Sequence, residues 1–273
     1  MCQDCGCNAT PRSSPLVVEV LRDLRSANDQ FAAHNRAHFD AHGVLVINLM
    51  SSPGAGKTAL LEATIDALSQ RYRIAVIEGD LETENDAARI RARGVPAVQI
   101  TTGTACHLDA NLVHEALHQL PLAGLDLLFI ENVGNLVCPA SFDLGQHRNV
   151  TLLSVTEGDD KPAKYPVIFR ASDLVVLSKT DLLDVLDDFD PSRAAAHLRA
   201  LGRETPMIET ASRRVPAMRS WLAWLERELA VCRPVTSPPF RFSVRPAAGP
   251  SRAHAFAPGP AHTRSPSPRS VDP

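Results

Sequence analysis

Apolar residues come in short, almost unbroken runs, separated by stretches in which they recur every three or four positions. The runs Val44–Met50, Ile74–Asp80, Ala97–Thr101, Leu125–Glu131, Thr151–Val155 and Leu174–Leu177 predict strands. Helical spacing marks Leu16 to about His42, where Leu16, Val20, Leu24 and Phe31 share a stripe, and then Lys57–Gln70, Asn85–Arg93 and Leu108–Leu120. Two further helices are predicted at Ser192–Leu201 and Val215–Ala230, the second with Met218, Trp221, Leu222 and Leu225 on one face. Near-continuous apolar strands alternating with helices predict an α/β fold. Its sheet should be mostly parallel and covered by helices on both faces. No internal repeat is visible.

Composition divides the 273 residues into three parts. A short cysteine-bearing leader, residues 1–15, precedes the patterned domain, 16–232; a Pro/Arg-rich tail follows from 233 to 273. The tail holds ten of the 21 prolines and six Arg against one Asp, with no Lys or Glu. A segment of that composition buries no core and is expected to be disordered. Its arginines are scattered and form no compact basic cluster, so no nucleic-acid partner is expected. No apolar run approaches the roughly 20 residues that span a bilayer, so no membrane partner is expected either. The N-terminus lacks a basic and then apolar signal. A cytoplasmic location follows, in which clustered thiols stay reduced and bind metal or do chemistry rather than form disulfides.

Chemistry first enters at Ser51-Ser52-Pro53-Gly54-Ala55-Gly56-Lys57-Thr58, between the first strand and a helix start at Ala59-Leu60-Leu61-Glu62-Ala63. This P-loop context makes a phosphate cradle from backbone N–H groups and the positive end of a helix dipole. Gly54, Ala55 and Gly56 form the turn, Lys57 reaches the β- and γ-phosphates, and the Thr58 hydroxyl ligates Mg²⁺. Ser51 stands where the strict pattern has glycine. In an open parallel sheet, chemistry gathers at the carboxyl ends of strands. Asp80 and Glu131 both stand there, suited to hold Mg²⁺ or its waters, and Asp86, expected on a loop beyond Asp80, is suited to position an attacking water. An acidic residue at a strand end is otherwise an ordinary solvated loop residue.

After the last strand, Ser178-Lys179-Thr180-Asp181 is similar to the Asn-Lys-x-Asp guanine motif of GTPases. Asp181 would accept hydrogen bonds from guanine N1–H and the exocyclic amine while the Lys179 stem packs on the ring. Adenine lacks that donor pair and would leave a buried carboxylate unpaired, which disfavours a phosphate-loop kinase or ATPase. Ser178 replaces the motif's Asn, which predicts weaker nucleotide affinity.

Cys2-x-x-Cys5-Gly6-Cys7 places three thiols within six residues, a set suited to Ni²⁺ or Zn²⁺. Cys106-His107 is a second pair, and Cys138 lies seven residues after Glu131 on the loop that would sense a γ-phosphate. A free cysteine such as Cys138 is otherwise a small buried hydrophobe, and Cys232 is taken as structural. His34, His38 and His42 recur every fourth residue on the leading helix. Such a stripe is ordinarily a solvated face; read chemically, it is a low-affinity nickel store.

Together these residues resemble the HypB family of GTPases that insert nickel during [NiFe]-hydrogenase maturation. The resemblance runs from about Ala27 to Leu183. It rests on SSPGAGKT (Ser51–Thr58), EGDLETENDAARI (Glu78–Ile90), ACHLDA (Ala105–Ala110), ENVGNLVCPASFDLG (Glu131–Gly145) and SVTEGDDKPAKYP (Ser154–Pro166), with a leader similar to that family's M-C-x-x-C-G-C nickel motif. It implies a P-loop NTPase fold of the SIMIBI class and slow hydrolysis of GTP to GDP and phosphate. It further implies Asp80 and Glu131 near the Mg²⁺, Asp181 on guanine, and a nickel site (zinc being possible) from Cys106, His107 and Cys138 at a nucleotide-dependent homodimer interface. The implied recipients are a HypA-type nickel-binding accessory protein and the hydrogenase large-subunit precursor.

The chain departs from the family pattern in three further places. Residues 8 to 33 contain no histidine where many relatives are His-rich. Thr210-Ala211-Ser212-Arg213-Arg214-Val215-Pro216 lacks the glycines of the usual second guanine loop, and the tail has no counterpart. The related urease accessory GTPases are disfavoured, since they carry Cys-Pro-His where Cys138-Pro139 is followed here by Ala140. Two functions are therefore expected to compete: a nickel metallochaperone gated by GTP hydrolysis, and a non-hydrolysing nickel carrier or store with a degenerate guanine site.

Overall fold

In a computed structural model of the chain, residues 15–80, 84–103 and 105–232 are described. The leader cysteines Cys2, Cys5 and Cys7, the loop residues 81–83 and the tail lie outside them. Seven parallel strands form one sheet: β1 (Leu45–Met50), β2 (Ile74–Asp80), β3 (Ala97–Thr101), β4 (Leu127–Glu131), β5 (Arg148–Ser154), β6 (Leu174–Ser178) and β7 (Met207–Glu209). Their spatial order is β3-β2-β4-β1-β5-β6-β7, so β1 and the loop that follows it sit at the centre. Eight helices connect and cover them: α1 (Pro15–His42), α2 (Lys57–Leu68), α3 (Asn85–Arg91), α4 (Ala110–Leu117), α5 (Lys161–Lys164), α6 (Pro166–Ala171), α7 (Pro191–Ala200) and α8 (Arg219–Cys232).

Strand residues alternate between two faces. Leu45, Ile47 and Leu49 of β1, with Leu127 and Phe129 of β4, pack against Leu61 and Ile65 of α2 and Trp221 and Leu225 of α8. Their neighbours Val46, Leu128 and Ile130 turn to the other side, against Phe39 of α1 and Val113 of α4. Farther along that side, Val175 and Leu177 of β6 meet Phe169 of α6 and Leu198 of α7. Burial on both faces is why these strands read as unbroken apolar runs.

The predicted elements recur with shifted ends. Asp109 caps α4 by accepting a hydrogen bond from the Leu112 amide at 2.8 Å, so the helix begins at Ala110 rather than Leu108. β5 begins at Arg148, three residues before its apolar run, and Val215–Met218 forms a 3-10 turn ahead of α8. The three-residue β7 and the short helices α5 and α6 have no counterpart among the predicted elements.

A polar row crosses the apolar centre of the sheet. Asn132 donates to Asn48 Oδ1 (3.2 Å), Asn48 donates to Asn149 Oδ1 (3.0 Å), and Gln146 donates to the same oxygen (3.0 Å). Asn48 and Asn132 are essentially inaccessible to solvent, so each amide depends on the next for its hydrogen bonds.

Candidate functional site

The loop between β1 and α2 turns on Gly54 (φ 75°) and Gly56 (φ 100°), a left-handed backbone that side chains resist. A Cβ at either glycine would meet nothing within 4 Å, so the loop encloses open space above the start of α2. Lys57 and Thr58 follow, both buried. The Lys57 ammonium donates to Ser51 Oγ at 3.3 Å and lies 3.9 Å from Glu131 Oε1; the Thr58 hydroxyl donates to that same Glu131 oxygen at 2.9 Å. Ser51, where the strict motif has glycine, thus holds the lysine head.

The parallel pairing of β2 and β4 sets Glu78 directly beside Glu131. Sequence reasoning missed Glu78, because its place beside Glu131 depends on strand order. The available signal was an acid inside an otherwise apolar strand. Burial first, and then the charge of Glu131, push the Glu78 carboxyl up to about 11, so it carries a proton at neutral pH. Burial also raises Glu131, against the pull of Lys57. One oxygen of each carboxyl is buried without a hydrogen-bond partner among the described residues. Glu78, Asp86 and Glu131 offer oxygens within 4.8 Å of one another, a donor set that fits a hard divalent cation. Asp86 belongs to the first turn of α3, not to a loop as expected, because the helix begins at Asn85. Arg89 of the same helix holds it at 2.6 Å and also pairs with Glu62. Asp80, at the end of β2, lines the same cavity of about 410 Å³ as Lys57, Thr58 and Arg89.

A second cavity, of about 280 Å³, opens on the other side of the loop, between Gly56 and Ala59 and the residues Lys179, Asp181, Ser212 and Arg213. Gly56 and Ala59 line both cavities, so one elongated molecule fits across the loop. Lys179 has φ 59°, the one positive φ of a non-glycine among the described residues, and such strain concentrates at functional loops. Ser178 is buried, and its hydroxyl donates to the Ala55 carbonyl of the phosphate loop at 2.7 Å. The residue expected to weaken the site therefore ties its two halves together. The glycine-poor loop after β7 is held as well: the Thr210 carbonyl accepts from the Thr180 amide and hydroxyl, both at 3.1 Å.

Cys106, His107 and Cys138 come together, their ligand atoms within 4.8 Å of one another and half-buried. The two sulfurs are 2.7 Å apart, and His107 Nδ1 lies 3.7 Å from Cys106 Sγ. His107 stacks on Phe142 at 3.9 Å between centroids, and burial lowers its pKa, favouring the neutral, ligating imidazole. Hydrogen bonding to Cys106, followed by burial, raises the Cys138 thiol. Two sulfurs and an imidazole suit Ni²⁺ or Zn²⁺.

The two regions touch through the stretch after β4. Asn132, next to Glu131, accepts from the Leu108 amide at 3.2 Å, one residue beyond His107. Gly134 lies so close to the phosphate loop that a Cβ there would come within 2.9 Å of the Pro53 backbone. Cys138 is at the end of this same stretch.

Residues 45–209 match the family model described as the CobW/HypB/UreG nucleotide-binding domain. The hydrogenase maturation factor HypB of Azotobacter chroococcum is 54% identical over 79% of this chain and 70% of its own length. That of Escherichia coli is 49% identical over 82% and 77%. Among solved structures, HypB from Helicobacter pylori in complex with nickel is 41% identical, with a TM-score of 0.72 over 77% of this chain and 99% of that one. HypB from Archaeoglobus fulgidus gives 36% and 0.70 over 75% and 99%. No helix among the described residues is long and apolar enough to cross a membrane.

Proposed function

The chain belongs to the HypB hydrogenase maturation factors of the CobW/HypB/UreG family, and we propose that it is a GTPase that binds Ni²⁺ and releases it, gated by GTP, to the [NiFe]-hydrogenase large-subunit precursor. The observation that carries this reading is the junction just described. The stretch from Glu131 to Cys138 begins at the candidate phosphate site, leans on the phosphate loop at Gly134, and ends on a sulfur of the Cys106–His107–Cys138 cluster.

GTP would lie across the loop, its base against Lys179 and Asp181 and its phosphates over Gly54, Ala55 and Gly56. Lys57 then exchanges Ser51 and Glu131 for β- and γ-phosphate oxygens. Thr58 would hold Mg²⁺, with Asp80 and Glu131 beside it, and the ion would offset charge on the phosphates. Asp86, fixed by Arg89, is placed to orient a water for in-line attack on the γ-phosphorus; the bond to the bridging oxygen breaks, giving GDP and phosphate. Lys57 stabilises the charge that develops there. Because Thr58 donates to Glu131, any ligand that claims the Thr58 hydroxyl disturbs Glu131 and, next to it, Asn132 and the Leu108 amide. Ser178's bond to Ala55 favours a working nucleotide site over the degenerate carrier.

Three protein ligands leave room for a fourth, which a second copy or a water would supply; Zn²⁺ suits the same donors. A homodimer that depends on nucleotide, loading by a HypA-type accessory protein and a second ion on Cys2, Cys5 and Cys7 complete the proposal. A cytoplasmic location, where clustered thiols stay reduced, fits this reading. Nickel titration of the full chain with GTP, with GDP and without nucleotide tests it, beside Lys57→Ala. Nickel release that follows phosphate production, lost in Lys57→Ala while leader nickel remains, is expected. Turnover retained in Lys57→Ala, or nickel affinity indifferent to the nucleotide, would overturn it.

A further inference from the structure

Two opposite charges line the smaller cavity without meeting. Asp181 and Arg213 both border the space of about 280 Å³ beside Gly56 and Ala59. No ion pair joins them, and neither side chain has a hydrogen-bond partner among the described residues. Lys179 does not neutralise Asp181 either, since its ammonium donates to Thr156 Oγ1 at 3.4 Å. Both ends are therefore open to a ligand that carries donors on one edge and acceptors on the next.

The turn that carries Arg213 is fixed to the motif that carries Asp181. The Arg214 amide donates to the Ala211 carbonyl at 2.8 Å, which closes a tight turn with Ser212 and Arg213 at its tip. Ala211 is buried beneath it. Thr210, just before, is bound to the end of β6: its amide and its hydroxyl donate to the Leu177 carbonyl at 2.8 and 3.3 Å. From the far side of Ser178, the Thr180 amide donates to the Thr210 carbonyl at 3.1 Å. Ser178 also lines the cavity, but its one proton is spent on Ala55, so it offers a base none of the amide donors of the Asn it replaces. Arg213 brings a planar fork of donors to the same space.

Guanine presents donors at N1–H and the exocyclic amine, and acceptors at O6 and N7. A carboxylate matches the first set and a guanidinium fork the second. Resting on the GTP reading above, we propose that Arg213 is a specificity-determining residue, its guanidinium donating to O6 and N7 of the base whose N1–H and amine bind Asp181. It supplies recognition that Ser178 does not give. Adenine turns an amino group, itself a donor, toward the same fork and is disfavoured.

The test is calorimetric titration of the full chain, as wild type, Arg213→Ala and Arg214→Ala, with GDP, 7-deaza-GDP, inosine diphosphate and ADP. The deaza analogue has C–H in place of the N7 acceptor, and the inosine nucleotide lacks the exocyclic amine. Wild type should bind 7-deaza-GDP about 5-fold and inosine diphosphate about 10-fold more weakly than GDP. Arg213→Ala should raise the GDP Kd about 5- to 30-fold and bind GDP and 7-deaza-GDP within about twofold of each other, with the inosine penalty intact. Arg214→Ala, exposed and outside the cavity, should match wild type. Each ratio is taken within one protein, so a change in its stability does not alter the readout. Unchanged GDP affinity in Arg213→Ala, or a deaza penalty that persists there because the arginine only attracts phosphate charge, overturns the assignment and leaves the GTP reading standing. So does a wild type indifferent to N7. Wild type that binds all four nucleotides alike overturns both.

Discussion

Ser178→Ala removes one oxygen and should be felt by the nucleotide. The Ser178 hydroxyl lies at the end of β6, inaccessible to water, and reaches across to the Ala55 carbonyl in the phosphate loop at 2.7 Å. Without it, a buried carbonyl loses its protein donor, at a cost of about 1–3 kcal/mol. Water entering through the neighbouring 280 Å³ cavity would recover part of that, leaving about 1–2 kcal/mol. The loss falls on the loop that must be shaped for phosphates, so it should appear in guanine-nucleotide affinity as roughly a 5- to 30-fold rise in Kd. Fluorescent GDP titrations of wild type and Ser178→Ala measure it, with urea unfolding of the nucleotide-free proteins to apportion the cost. A Kd within about twofold of wild type, with unchanged stability, would refute the bracing role and return Ser178 to a plain loss of the guanine motif's Asn.

Other expectations follow from the same site. Glu78→Gln should flatten the pH dependence of stability in metal-free buffer. A carboxyl raised from 4.5 to about 11 contributes stability that is complete below 4.5 and lost as pH rises toward 11. The wild type should therefore lose about 1.4 kcal/mol more per pH unit than the variant between about pH 6 and 8; equal slopes in urea melts would show that the acid is already ionised. Gly134→Ala pushes a methyl to within 2.9 Å of the Pro53 backbone, so GTP affinity should fall by about 1–3 kcal/mol. Unaltered affinity by calorimetry would mean the two loops slide freely. Cys138→Ser should remove one bound nickel per chain and abolish any response of nickel binding to GTP; elemental analysis showing the same nickel content would remove Cys138 from the ligand set.

How much of this was legible in the sequence varied with the kind of information required. The central strands announced themselves because both faces are buried, whereas β7, two half-buried residues and an exposed Glu209 at the sheet edge, has too few apolar positions to form a run. α5 and α6, of four and six residues with Pro162 and Pro166 in their first turns, are too short for any periodicity. The phosphate loop was readable because its chemistry is contiguous. Glu78 was not, since its importance comes from strand pairing beside Glu131. The spacing of His34, His38 and His42 was readable, but not that His42 turns its Nδ1 to the His38 carbonyl at 2.8 Å, leaving His34 and His38 as a pair with Nε2 atoms 3.0 Å apart. Ser178 shows the opposite limit: a motif comparison registers a missing side chain but not the hydrogen bond its replacement makes.

The row of amides through the sheet bears on how such a chain tolerates change. Asn48 supplies what both Asn132 and Asn149 need, so altering it strands two others, and Asn48 and Asn132 lie where water does not reach. Single replacements should therefore be purged, while compensated pairs that swap polarity together could survive. A deep mutational scan would find these positions intolerant one at a time and strongly epistatic in pairs, a signature of inheritance as a block.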